Sequence, residues 1–188
     1  MDTVRTFIAV PATGDAADSV DRFAAEIRKA GASVKWVELG NLHVTLKFLG
    51  DLPRSRIPAL VEAVGRAVEG EARFGMTLRG AGAFPNLARA RVLWVGIVDG
   101  ADRLAKLAEA IDQTTIDAGF SPADKAFRPH LTIGRARGSS VGSGASRIIS
   151  RSPDLELGTV DVEAVHVYSS KLTPQGPVYT SLAEIYLD

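Results

Sequence analysis

His43-Val44-Thr45-Leu46 and His130-Leu131-Thr132-Ile133 spell one pattern, His-apolar-Thr-apolar, 87 residues apart (130 − 43). The chain has three histidines, and two of them fall in this pattern. In a β-strand successive side chains alternate between faces, so each His shares a face with its Thr. Val44 and Leu46, or Leu131 and Ile133, then lie on the opposite face and belong to a core. Each segment is thus an apolar-backed strand presenting an imidazole beside a hydroxyl. Two such strands facing one another would gather two imidazoles and two hydroxyls in one cleft.

Around these strands the chain alternates between helical and extended patterns. Val4 to Val10 reads as a strand closed by Pro11. Val20, Phe23, Ala24 and Ile27 repeat at helical spacing within 15–30, with Gly31 where a helix ends. Val34–Val37 and Leu42–Leu49 read as strands. Pro53 opens a second helix whose stripe is Ile57, Leu60, Val61, Val64 and Val68. Phe74–Leu78 and Val92–Val98 are extended, joined by a Gly/Pro-containing connection over 80–91. A third helix carries Leu104, Leu107, Ala108 and Ile111. Gly138–Ser146 is Gly/Ser-rich and is expected to be a mobile loop. Val160–Tyr168 and Val178–Leu187 close the chain as strands around Thr173-Pro174-Gln175-Gly176-Pro177. Strands that follow strands directly favour α+β architecture with antiparallel sheets over a parallel βαβ sheet. Apart from the two motifs, no internal repeat is visible in the sequence.

With 188 residues, 46% of them hydrophobic, the chain can bury a substantial core, either as one domain or as two small lobes sharing a cleft. Lys plus Arg equals Asp plus Glu, 22 each. Such a balance gives no broad attraction to a nucleic-acid duplex, so nucleic-acid recognition would be confined to a few nucleotides at one site. There is no cysteine, which removes disulfides, thiolate metal sites and thiol nucleophiles. Neither a signal peptide nor a transmembrane run is apparent, and a cytoplasmic protein is expected.

Two histidines and two threonines suit cleavage of a phosphodiester. That reaction needs a base for the attacking oxygen, an acid for the leaving oxygen, and donors for the non-bridging oxygens. An ordinary imidazole pKa of about 6.5 lets one ring be neutral and the other protonated near neutrality. Thr45 and Thr132 supply hydroxyl donors. Arg128, two residues before His130, and Arg135, five after it, are candidate phosphate contacts, since a guanidinium matches phosphate geometry. The face of Arg135 relative to His130 is open if the strand bends at Gly134. Lys47, four residues after His43, shares its face in an unbroken strand. Phe84, in the connecting loop, is a candidate for stacking on a base, whereas mid-strand Trp94 is assigned to the core. His166 lacks a Thr at the second position after it and is assigned a structural role. No carboxylates cluster at metal-ligand spacing with either motif histidine, so neither metal nor cofactor is expected.

These stretches resemble the two-histidine (2H) phosphoesterases, specifically the RNA 2′,3′-cyclic phosphodiesterase branch first described as 2′–5′ RNA ligases. The likeness runs nearly end to end. It includes Arg5-Thr6-Phe7-Ile8-Ala9-Val10-Pro11, Lys35-Trp36-Val37, Asn41 to Gly50, Gly82-Ala83-Phe84-Pro85, Arg91 to Gly96, Phe127 to Ile133 and Ser170-Lys171-Leu172. Glu38-Leu39-Gly40 replaces a stretch that more commonly contains proline. The resemblance implies one 2H domain over 1–188, built of two similar lobes with pseudo-twofold symmetry, antiparallel sheets lining a central cleft and helices outside. It implies metal-independent hydrolysis of RNA 2′,3′-cyclic phosphate ends to 2′-phosphomonoesters, with His43 as proton donor and His130 as proton acceptor. Chemistry alone leaves that order open. The expected partners are RNA 3′ ends or small cyclic nucleotides, with no membrane and no obligate protein partner, and the expected state is a monomer. The alternatives are 2′–5′ ligation, opening of another cyclic phosphodiester, or a non-catalytic module that binds a nucleotide or RNA end.

Overall fold

A computed structural model describes residues 2–138, 140–174 and 176–188. In chain order the elements are β1 (Thr3–Pro11), α1 (Gly14–Lys29), β2 (Val34–Trp36), β3 (His43–Pro53), α2 (Ile57–Val68), β4 (Phe74–Phe84), β5 (Val92–Ile97), α3 (Ala101–Asp117), β6 (His130–Ala136), α4 (Ser143–Ser150), β7 (Glu156–Val162), β8 (Ala164–Leu172) and β9 (Pro177–Tyr186). The strands form two antiparallel sheets, ordered β3-β1-β8-β9 and β2-β6-β5-β4-β7. The α+β, two-lobed architecture expected from the sequence is the one observed.

Local chemistry explains the helices. α1 buries Ala16, Ala17, Val20, Phe23, Ala24 and Ile27 along one stripe, with Asp15 in its first turn and Arg28 and Lys29 in its last. Those charges complement the helix dipole. α2 carries a proline in its first turn, where the missing N–H costs nothing. Several expectations shift. Pro53 closes β3 and α2 opens only at Ile57. The 160–168 run divides at Glu163 into β7 and β8, which belong to different sheets. The 80–91 connection is partly strand, because β4 runs on through Gly80 to Phe84. The Gly/Ser-rich stretch is not all loop: Ser143–Ser146 open α4, which buries Ala145 and Ile149. Ser139, inside that stretch, and Gln175, in the Thr173–Pro177 turn, lie outside the described residues.

The fold repeats where the sequence does not. From β1 to β5 the offset is 89 residues (92 − 3), from α1 to α3 it is 87 (101 − 14), and from α2 to α4 it is 86 (143 − 57). The motif strands β3 and β6 sit at the same offset, 87. Outside the motifs each position need only be apolar or polar, so the repeat survives as a pattern of elements.

The first helix of each repeat crosses over. α1 leaves β1 in the first sheet yet packs on β7 and α4 of the second lobe. α3 leaves β5 in the second sheet and packs on β3 and α2 of the first lobe. This exchange interlocks the lobes and brings β3 against β6.

Both motif strands carry an extra residue directly after the threonine. In β3, Thr45 pairs with Ala9 but Lys47 pairs with Ile8, leaving Leu46 unmatched. In β6, Thr132 pairs with Trp94 but Gly134 pairs with Leu93, leaving Ile133 unmatched. A bulge of this kind resets which face the following residues occupy. Lys47 is therefore turned away from His43, correcting the expectation that they share a face. Its ammonium is buried against α3, 2.6 Å from Asp112 Oδ1 and 2.7 Å from Thr115 Oγ1. At the matching position Gly134 packs so closely that a β-carbon would stand 2.5 Å from Val34 Cγ1.

Removing one partner of a fully buried ion pair costs about 3–5 kcal/mol. Asp112 keeps 30% exposure and can be rehydrated, so Lys47→Met is expected to lose less, about 2–3 kcal/mol. Urea unfolding measures this, and an unchanged midpoint with an unchanged slope would contradict it.

Candidate active site

The motif histidines are held by the same device. His43 Nδ1 lies 2.7 Å from the Asn41 carbonyl oxygen, and His130 Nδ1 lies 2.6 Å from the Arg128 carbonyl oxygen. A carbonyl only accepts, so in each ring Nδ1–H donates and Nε2 is left for chemistry. Both acceptors lie two residues upstream, just before the strand begins. Each histidine is half-buried, as are Thr45 and Thr132 on the same strand faces.

Aromatic rings fix the imidazoles from the side. Phe7 on β1 packs 5.1 Å from the His43 ring, and Tyr179 on β9 meets it edge-on at 5.4 Å. Phe84 meets the His130 ring edge-on at 5.1 Å. The Phe84 candidate is therefore at the site, although it ends β4 and does not occupy a loop. Trp94, assigned to the core from its mid-strand position, is only half-buried and packs 5.3 Å from Phe84. Its ring lies flat over Gly82, where a β-carbon would come within 2.3 Å of it.

The bulge at Leu46 hides Lys47, and its counterpart at Ile133 brings Arg135 forward. Counting through Ile133, the fifth residue after His130 returns to the histidine face, and Arg135 is exposed there. Its charge is felt at His43 and at Tyr179 across the cleft. The equivalent residue of β3 is Phe48, which is 58% exposed and 5.9 Å from Phe7. Arg128 has an exposed side chain, and its carbonyl is what orients His130. His166 is on β8, stacked on Tyr168 at 5.2 Å with Glu184 Oε1 3.8 Å from its Nδ1. Phe7, Tyr179 and Arg5 were not singled out from the sequence. Phe7 lies in an apolar run that hides its face, and Tyr179 is distant in sequence from either motif.

The His43 imidazole is perturbed by its surroundings. Burial pushes His43 below the ordinary histidine pKa, the Asn41 hydrogen bond opposes this, and the Arg135 and His130 charges lower it further. Burial raises the Tyr179 hydroxyl above the usual phenol range, with Arg135 and Arg5 pulling the other way, so it stays protonated and able to donate at neutral pH. Among the described residues no group of three or more His, Cys, Asp or Glu side chains is placed to hold a metal ion. No helix among them is long and apolar enough to cross a membrane.

Comparison with known proteins agrees with this geometry. The LigT-like phosphoesterase family matches the chain twice, over residues 10–94 and 95–179, one histidine motif in each copy. A Methanothermobacter thermautotrophicus protein named RNA 2′,3′-cyclic phosphodiesterase is 35% identical, over 95% of this chain and 96% of that one. A Thermotoga maritima protein of the same name is 34% identical, over 96% and 94%. Among solved structures, a Thermus thermophilus protein superposes with a TM-score of 0.82 at 29% identity, covering 97% of each chain. Escherichia coli LigT complexed with 3′-AMP has the same fold, with a TM-score of 0.76 at 24% identity over 99% of each chain.

Because Arg135 is a cause of the depressed His43 pKa, Arg135→Gln is expected to move it upward, toward the ordinary value of about 6.5. Titration of the imidazole ring protons by NMR in the free protein reads the shift directly. A His43 midpoint that stays put or falls would refute this electrostatic picture.

Proposed function

The chain belongs to the LigT-like phosphoesterase family, and on that footing we propose that it hydrolyses RNA 2′,3′-cyclic phosphate ends to 2′-phosphomonoesters without a metal ion. The observation that carries this reading is the matched pair of histidines on adjoining strands, each fixed through Nδ1 so that Nε2 is free. The names of the relatives supply the reaction, and the 3′-AMP complex of LigT supplies a nucleotide in the same fold.

In this mechanism the cyclic phosphate sits between the two Nε2 atoms. His130 Nε2 accepts a proton from water as its oxygen attacks phosphorus in line with O3′. The bond from phosphorus to O3′ breaks, and His43 Nε2–H delivers a proton to O3′. The product carries a 2′-phosphate and a free 3′-hydroxyl. Thr45, Thr132 and Arg135 donate to the non-bridging oxygens, where charge collects in the transition state. Arg128 adds a second cation near the His130 end, and Phe84 borders the space for the sugar or base.

A proton donor must be protonated when substrate is bound, whereas burial and Arg135 favour the neutral His43 ring in the free protein. The phosphate anion resolves this. Seated beside Arg135, it offsets the guanidinium charge and stabilises the imidazolium. Nothing in the chemistry requires a partner chain or a membrane, and we read the protein as a monomer acting in the cytoplasm.

Three outcomes are expected with an RNA ending in a 2′,3′-cyclic phosphate. His43→Ala and His130→Ala should each lower kcat/KM by about 10²–10⁴-fold, the usual range for a general acid or base. Turnover should persist in EDTA and yield the 2′-phosphate. The alkaline limb of the kcat profile should lie above that of kcat/KM, since the latter reports the free enzyme. Full activity in the double alanine variant would overturn the proposal.

A further inference from the structure

Charge is distributed unevenly along the cleft. Lys35 stands opposite Arg135 across the β2–β6 pairing, and both are exposed. On the facing wall Arg5 lies near the start of β1, where its charge and that of Arg135 both reach Tyr179. These cations form an arc from β1 past Tyr179 to the edge strand β2. None of the three enters an ion pair among the described residues, although Asp51 lies opposite Arg5 in register. The other end of β1 has the opposite sign. A small hollow there is lined by Pro11, Thr13, Asp161, Glu163 and His166, and Glu184 lies beside His166.

The hydrolysis accounts for Arg135 but not for Lys35 or Arg5. In a chain with equal acidic and basic totals, unpaired cations gathered at one mouth are a signature of an anionic ligand. The position of Lys35 is defined. Its Cε lies 3.8 Å from where a β-carbon would stand on Gly176, in the β8–β9 hairpin. The neighbouring Pro177 carbonyl accepts from Asn41 Nδ2 at 3.5 Å, and the Asn41 carbonyl in turn holds His43. This mouth is thus tied to the loop that orients a motif histidine.

We propose that Lys35, with Arg5 on the opposite wall, forms a subsite for a second phosphate of the substrate, the internucleotide phosphodiester one step 5′ of the cyclic phosphate. The RNA end then leaves the cleft over β2 and the β8–β9 hairpin, away from the acidic hollow. This rests on the hydrolytic reading above and adds to it a substrate length and direction.

The test compares adenosine 2′,3′-cyclic phosphate with a diadenosine dinucleotide ending in 2′,3′-cyclic phosphate. The wild-type protein is expected to favour the dinucleotide by tenfold or more in kcat/KM. Lys35→Gln should reduce that ratio at least fivefold, and Arg5→Gln should reduce it by less. The preference should also weaken with salt, with a slope about 0.7 steeper for the dinucleotide on log–log axes, as for one additional single-strand phosphate contact. A ratio that Lys35→Gln leaves unchanged overturns the subsite. If the wild-type protein hydrolyses neither substrate, the hydrolytic reading fails. Calorimetric affinities of the dinucleotide 2′-phosphate and of 2′-AMP then decide the subsite by the same ratio.

Discussion

The extra residue after each threonine, Leu46 in β3 and Ile133 in β6, determines what the rest of the site can contain. Without it, strict alternation would aim the fourth residue after each histidine into the cleft and the fifth into the core. With it, the fourth residue turns inward and the fifth outward. The inward position holds Lys47 in one repeat and Gly134 in the other, and both make close contacts. The outward position holds Phe48 and Arg135. A bulge also strengthens local twist and bends the strand, which suits a pair of strands that must present their motifs to one another.

The inward lysine ties the lobes together. Its partners Asp112 and Thr115 belong to α3, which comes from the second repeat but packs on the first sheet. Asp112 Oδ1 also accepts the Ala123 amide at 2.9 Å, in the segment that leads to His130. One carboxylate therefore joins the strand bearing the first histidine to the approach of the second. A buried charge is expensive unless paired and hydrogen-bonded, and this pairing holds only when the exchanged helix is docked. The contact thus couples helix exchange to the relative placement of the two motifs.

That coupling separates what was legible in the sequence from what was not. Both histidine strands, their burial polarity and the α+β class could be read directly, because a period of two is a local property. The face of Lys47 could not be read, since a bulge leaves no mark in the hydrophobic pattern when Leu46 is as apolar as its neighbours. The same ambiguity left the face of Arg135 open. Trp94 was misplaced for a related reason. An aromatic ring on a strand reads as core, but a glycine on the next strand, Gly82, lets the Trp94 ring lie flat on the cleft face. Phe7 and Arg5 reach the site only through sheet order, β1 beside β3, and Tyr179 through β8 beside β1 and β9 beside β8. Strand order is a long-range property that no local window carries.

A pseudo-twofold scaffold poses a chemical difficulty for the acid–base mechanism proposed above. Acid–base cleavage needs two imidazoles in opposite protonation states, whereas a true twofold would give them identical environments. The hydrogen bonds through Nδ1 are nearly symmetric, 2.7 and 2.6 Å to a carbonyl two residues upstream. The difference therefore arises elsewhere. At His43 burial acts first, and the outward position after the bulge, where one repeat places an aromatic ring and the other a guanidinium, adds to it. Arg135 extends from the His130 strand but its field acts on His43, which Phe7 and Tyr179 also shield from water. The duplicated pattern is thus broken at one outward position, phenylalanine on one side and arginine on the other, and the guanidinium adds to the burial that already favours the neutral His43 ring.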